Sequence, residues 1–124
     1  MSIAVYNDRV YTSYFAVVGR YVTNNRQVSI SISSPSWFHG ECYEKLRPTV
    51  RLFNGYKSGE YTTEEFREIY YRDVLNKLNP KEVYEALKGK VICCWEKRGD
   101  FCHRHIVLEW LERELGKSVV GEEL

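Results

Sequence analysis

Apolar and polar positions come in short blocks along this chain, and the period changes from block to block. "RVYTSYFAVV" (Arg9 to Val18) is rich in β-branched and aromatic residues, which predicts a first strand running into a short helix. "QVSISIS", from Gln27, alternates with period two and predicts a second strand with Val28, Ile30 and Ile32 on one face. The cluster "SSPSWFHG" ends it in a turn. From Gly40 to Gly59 no period holds, so a loop is expected, with a short helix around Tyr43 to Leu46. "TTEEFREIYYRDVLNKL" repeats Phe66, Ile69, Tyr70 and Val74 at helical spacing, behind a capping box of Thr62 and Glu65. "NPKEVYEALKG" is a second helix, with Asn79 as cap, Pro80 in the first position and Gly89 as terminator. "KVICCWE" is almost wholly apolar, as a strand covered on both faces must be. After the turn "RGD", "FCHRHIVLEWLEREL" forms a helix with Val107, Leu108, Leu111 and Leu115 inward. Gly116 stops it, and "KSVVGEEL" supplies a last edge strand.

Strands separated by helices predict an α/β fold, a single three-layer domain over 1–124 with a mostly parallel, Rossmann-like sheet and right-handed crossovers. Ligands of such sheets bind outside the carboxyl ends of the strands. Three segments should meet there: "YTSYF", "SSPSWFHG" and "WEKRGDFCHR".

Composition narrows the function. With 18 Lys and Arg against 17 acids, the net charge of +1 gives no general field for nucleic acid or anionic lipid, so any anion site must be local. No apolar run approaches the roughly 20 residues of a membrane span. "MSIAVYNDRVYTS" lacks the basic end and apolar middle of a signal peptide, and the cytoplasm is the expected compartment. Ten tyrosines, five phenylalanines and three tryptophans must be in large part core, and a surplus of Tyr and Trp suits a stacking pocket or a homo-oligomer interface equally, uses that composition does not separate. Cys42, Cys93, Cys94 and Cys102 are too few and too uneven for a disulfide scaffold, and all four are expected as reduced thiols.

The densest chemistry lies in "CCWEKRGDFCHRH". Cys93 and Cys94 read as small hydrophobes on opposite faces of a strand. Asp100 is a natural N-cap, which would set Cys102 and His103 in the first turn of the helix, near Arg98 and Arg104. The helix dipole and these cations should make Cys102 the most acidic thiol; whether it reacts or only packs stays open. Arg104, beside unpaired amides of that turn, is the expected holder of phosphate; the alternative is that it pairs with a carboxylate such as Glu96. Thr12, Ser13, Ser33 and Ser34 add hydroxyls at strand ends, and Trp37, Phe38 and Tyr43 add flat faces for stacking. Zinc is disfavoured: His39, Cys42, Cys102 and His103 or His105 could supply ligands, but no CxxC or HExxH spacing is present. No metal or other cofactor is expected. The phosphatase arrangement, a cysteine and an arginine with five residues between them, is absent as well.

"VICCWEKRGDFCHRHIVLEWL" resembles the signature of the domain of unknown function 488 family, in which a strand ending in Cys-x-Glu turns into Cys-His-Arg at a helix start. "YTSYFA", "YEKLRPT" and "YKSGEYTTEEFREIYYRDVLNKLNP" extend the resemblance over most of the chain, which is similar to small bacterial and bacteriophage members. Cys94, Glu96, Cys102, His103 and Arg104 carry over. The resemblance implies an α/β fold with a pocket at this turn, and no activity. In size and pocket type the chain is also similar to small viral proteins that sequester cyclic-nucleotide signals.

The expected function is therefore binding, or sequestration, of a small phosphorylated, nucleotide-like ligand. Arg104, Cys102 and His103 would hold it with the strand-end hydroxyls, and Trp37, Phe38 or Tyr43 would stack. The alternative is an enzyme on a nucleotide or nucleoside, with Cys102 as nucleophile and Glu96 or His103 moving the proton.

Overall fold

The computed structural model describes residues 5–124; residues 1–4, part of the segment read against a signal peptide, lie outside them. β1 (Val10–Tyr14) runs into one turn of helix, α1 (Phe15–Val18), and β2 (Gln27–Ser29) follows. A two-residue strand, β3 (Glu41–Cys42), precedes three helices: α2 (Val50–Lys57), α3 (Thr63–Asp73) and α4 (Pro80–Leu87). β4 (Val91–Cys94), α5 (His103–Leu115) and β5 (Val120–Glu123) complete the chain.

All five strands are parallel, in the order β3-β2-β4-β1-β5, which is the α/β sheet expected from the pattern. β4 is central: Ile92 pairs with Thr12 on one side and Val28 on the other. Its four residues are all buried, because helices cover both sides. One apolar cluster joins Val10, Val28, Ile30 and Ile92 to α2, α3, α4 and α5; the other joins Tyr11, Val91 and Cys93 to Phe15 and Val18 of α1. Side chains alternate along each strand, so Cys93 and Cys94 face opposite ways, as expected.

The local rules explain most boundaries. Thr62 and Glu65 close the capping box on α3, and the Asn79 side chain accepts from Lys81 and Glu82 ahead of Pro80. Gly116, at φ +98°, ends α5 in a backbone region that L side chains rarely adopt. At Gly121 any Cβ would meet the ring of Tyr11, so β5 can approach β1 only with glycine there.

Several boundaries differ from expectation. β2 ends at Ser29, with Ile30 adding one more ladder bond to the Cys93 carbonyl at 3.1 Å, and Ile32 has left the core face. α2 and β3 occupy the segment expected to be a loop. α2 turns only Leu52 and Gly55 fully inward, too few positions to show a period. No helix among the described residues is long and apolar enough to cross a membrane.

Ile92 is fully buried at the centre of the sheet. Ile92→Ala should cost about 3 kcal/mol, from lost transfer energy plus the cavity left behind. It should lower the urea midpoint without changing the denaturant slope; a midpoint unchanged from wild type would contradict this packing.

Candidate functional site

Strand order decides where a site can form. From β2 the chain turns away toward β3, whereas from β4 it crosses over β1 to β5. The carboxyl ends of β2 and β4, adjacent in the sheet, therefore send their loops in opposite directions and leave a crevice between them. A cavity of about 130 Å³ lies there. Ser31, Ile32 and Ser33 line it from the loop after β2, and Trp95 and Glu96 from the turn after β4. Phe53, Tyr56 and Lys57 of α2 and Phe66 of α3 form the opposite wall, and Phe101, Cys102 and His103 the start of α5. The Tyr56, Phe66 and Phe101 rings pack with centroids 5.2–5.4 Å apart. Lys57 and Glu96 face each other at 3.9 Å on the rim.

Cys94, Cys102 and His103 cluster here, all buried, with their ligand-type atoms within 4.8 Å of one another. Cys102 is the N-cap of α5 in place of Asp100, which lies exposed in the turn with its amide bonded to the Lys97 carbonyl. The His103 Nε2–H donates to the Ile30 carbonyl oxygen at 2.8 Å, since a carbonyl can only accept. That bond fixes the neutral tautomer and leaves Nδ1 facing the Cys102 sulfur at 3.8 Å. Burial pushes the His103 pKa down to about 4, with the charge of Arg104 adding to the effect and the Ile30 bond opposing it. Tyr70 supports the ring from below, edge to face at 5.6 Å.

Two expectations are overturned at this point. The Cys94 and Cys102 sulfurs are joined as a disulfide, with Cα atoms 7.6 Å apart, so the four cysteines are not all free. Only Cys42, exposed on β3, and Cys93, buried on the other sheet face, are free thiols. Arg104 is fully buried and each of its nitrogens is already bonded within the protein, so it is not presented to a phosphate. Its Nε and Nη2 donate to the two carboxylate oxygens of Glu123, at 2.9 and 3.1 Å. Its Nη1 donates to the Cys94 sulfur at 2.9 Å and to the Glu96 carbonyl at 2.6 Å. Arginine does pair with a carboxylate, but with Glu123 rather than Glu96.

The other candidates divide. Ser33 and Glu96 join the cavity. Thr12 bonds to Glu123, the Ser13 hydroxyl donates to the Leu124 carbonyl at 3.2 Å, and the Ser34 hydroxyl bonds that of Ser29 at 2.7 Å. These hydroxyls tie strand ends together. Trp37, Phe38 and His39 line a separate recess with Phe15 and Arg20, and Tyr43 packs against the core. Among the described residues, neither His39 nor Cys42 belongs to the Cys-His cluster. His105 is 3.0 Å from Glu123. The aromatic wall of Tyr56, Phe66 and Phe101 has no signal in the sequence: Tyr56 lies in the segment without period, and Phe66 reads from spacing as plain core.

No family model matches this chain, and no curated protein or solved structure matches it.

Glu123 gives a pH test. Burial alone would raise its pKa, but the hydrogen bonds and charge of Arg104, with His105 and Thr12, outweigh it and bring the carboxyl from 4.5 down to about 2. A depressed carboxyl adds stability above its unfolded pKa and loses it as pH falls toward the folded one. Glu123→Gln should therefore cost about 2–3 kcal/mol at neutral pH and flatten the decline between pH 4.5 and 2, followed by urea unfolding across that window. An unchanged acid limb would contradict the pairing. Thiol mapping gives a second test. Burial pushes the Cys93 thiol up to about 12, against smaller lowering effects of a Val28 backbone bond and Arg104. Limiting iodoacetamide should label Cys42 first in the native protein and Cys93 only after unfolding. Native labelling led by Cys102 would contradict the burial of that cysteine.

Proposed function

We propose that the protein binds a nucleoside- or nucleotide-like ligand in the cavity between the ends of β2 and β4. The observation that carries this reading is the wall of Tyr56, Phe66, Trp95 and Phe101 at that crevice. A planar base would lie against these rings, and Ser31, Ser33 and Glu96 would meet its polar edges. With Arg104 committed to Glu123, Lys57 at the rim is the cation left for a phosphate, so the base contributes more than the charge. Retention without turnover would make the protein a sink for such a ligand. A second reading, a cysteine-dependent enzyme on the same class of molecule, is favoured by Cys102 and His103 on the cavity wall. In that reading Cys102 would act once freed from Cys94. Membership of the domain of unknown function 488 family, on Cys94, Glu96, Cys102, His103 and Arg104, belongs to the same proposal. So does residence in the cytoplasm, where reducing conditions would keep Cys42 and Cys93 as thiols and open the Cys94–Cys102 pair.

Isothermal calorimetry with nucleosides, mononucleotides and cyclic dinucleotides tests the reading. At least one should bind, and Phe101→Ala should weaken it by about tenfold, the size of one lost base–aromatic stack. Binding unaffected by Phe101→Ala, or no binding by any of the panel, would overturn it. Product formation that stops on Cys102→Ser would favour the enzyme over the sink.

A further inference from the structure

We infer that Cys94, Cys102 and His103 form a site for a zinc-class divalent cation, with a fourth coordination position open toward the cavity. The inference does not depend on which ligand the cavity takes. Two sulfurs and the imidazole Nδ1 lie within 4.8 Å of one another on three buried residues. Two cysteines and a histidine with one position left free is a donor set that zinc uses in catalytic sites.

The imidazole is set for this role. Its Nε2–H is held by the Ile30 carbonyl at 2.8 Å, which leaves the Nδ1 lone pair bare. Such an outer bond is what orients a metal-binding histidine and fixes its tautomer. Nδ1 stands 3.8 Å from the Cys102 sulfur. With zinc bonds of about 2.3 Å to sulfur and 2.0–2.1 Å to nitrogen, two ligands of one tetrahedral ion stand about 3.5 Å apart. Arg104 favours the thiolate form of Cys94: its Nη1 donates to that sulfur at 2.9 Å, a bond that is strongest when the sulfur is a thiolate.

Backbone spacing points the same way. The Cys94 and Cys102 Cα atoms are 7.6 Å apart, beyond the usual 4.4–6.8 Å of a disulfide. Two thiolates on one zinc have sulfurs about 3.8 Å apart and so suit a wider spacing. The disulfide and the cation site are two states of one pair. Opening the disulfide takes two electrons from a thiol or phosphine reductant, which gives two thiols, and the cation then displaces their two protons.

Protein reduced with a phosphine and freed of it under anaerobic conditions is titrated with cobalt(II), then with zinc. One cobalt per chain should bind, with thiolate-to-cobalt charge transfer and the intense d–d bands of a tetrahedral site, and zinc should bleach both. Cys102→Ser and His103→Gln should each weaken cobalt binding at least about tenfold, whereas Cys42→Ser should match wild type. If circular dichroism shows either variant unfolded, the wild-type spectrum decides, because its charge-transfer bands report thiolate ligation directly. Reduced, folded wild type without those bands would overturn the inference, as would full-strength binding by Cys102→Ser or a Cys94–Cys102 disulfide that persists in reductant. Cobalt bound normally by a protein that binds no nucleotide would sink only the earlier reading.

Discussion

A guanidinium with no access to water constrains everything around it. Arg104 is completely buried, and an isolated charge in such a place would cost several kcal/mol. It is tolerated because partners converge on it: both oxygens of Glu123, the sulfur of Cys94 and the backbone oxygen of Glu96. Those partners belong to β5, the end of β4 and the turn that leads into α5. One side chain thus fixes where the edge strand ends, where the central strand stops and how the helix begins. His105 and Thr12 complete the arrangement by binding the same carboxylate.

The cavity follows from that fixation and from strand order. Parallel strands send all their carboxyl ends to one edge, and opposite departures from β2 and β4 leave the gap between them. Arg104 holds the α5 start beside the gap, so that Cys102, His103 and Phe101 become its walls. Neighbours in sequence have very different fates under this geometry. Cys93 is an inert thiol among the apolar residues packed on α1, whereas Cys94, one residue later, points at a guanidinium, a second sulfur and an imidazole.

Much of this architecture was legible in the chain. The apolar run at β4, the capping box of α3 and the Asn79-Pro80 start of α4 each announce an element by local chemistry, and their alternation announces the parallel sheet. What escaped reading depends on distant partners. β3 is two residues long and is a strand only because β2 offers it a ladder. α2 has no clean period because apolar Val50 and Phe53 stand exposed beside the inward Leu52, Gly55 and Tyr56. Arg104 is legible as site chemistry, yet its partner Glu123 lies 19 residues away on the edge strand, a spacing that no local rule connects. Likewise Cys94 reads as core, since only folding brings the α5 start against the end of β4. Local spacing could place Cys102 and Arg104 beside the site but could not say that Cys94 would cap one, or that Glu123 rather than Glu96 would hold the other.

Arg104 organises the site from within rather than meeting a ligand, and its side-chain Nε–H signal in a nitrogen-15 NMR spectrum tests this most directly. One resolved Arg104 signal is expected, exchanging with water far more slowly than that of the exposed Arg98 and unshifted by added nucleotide. An Arg104 signal that exchanges as fast as Arg98, or that shifts strongly as nucleotide is added, would contradict it.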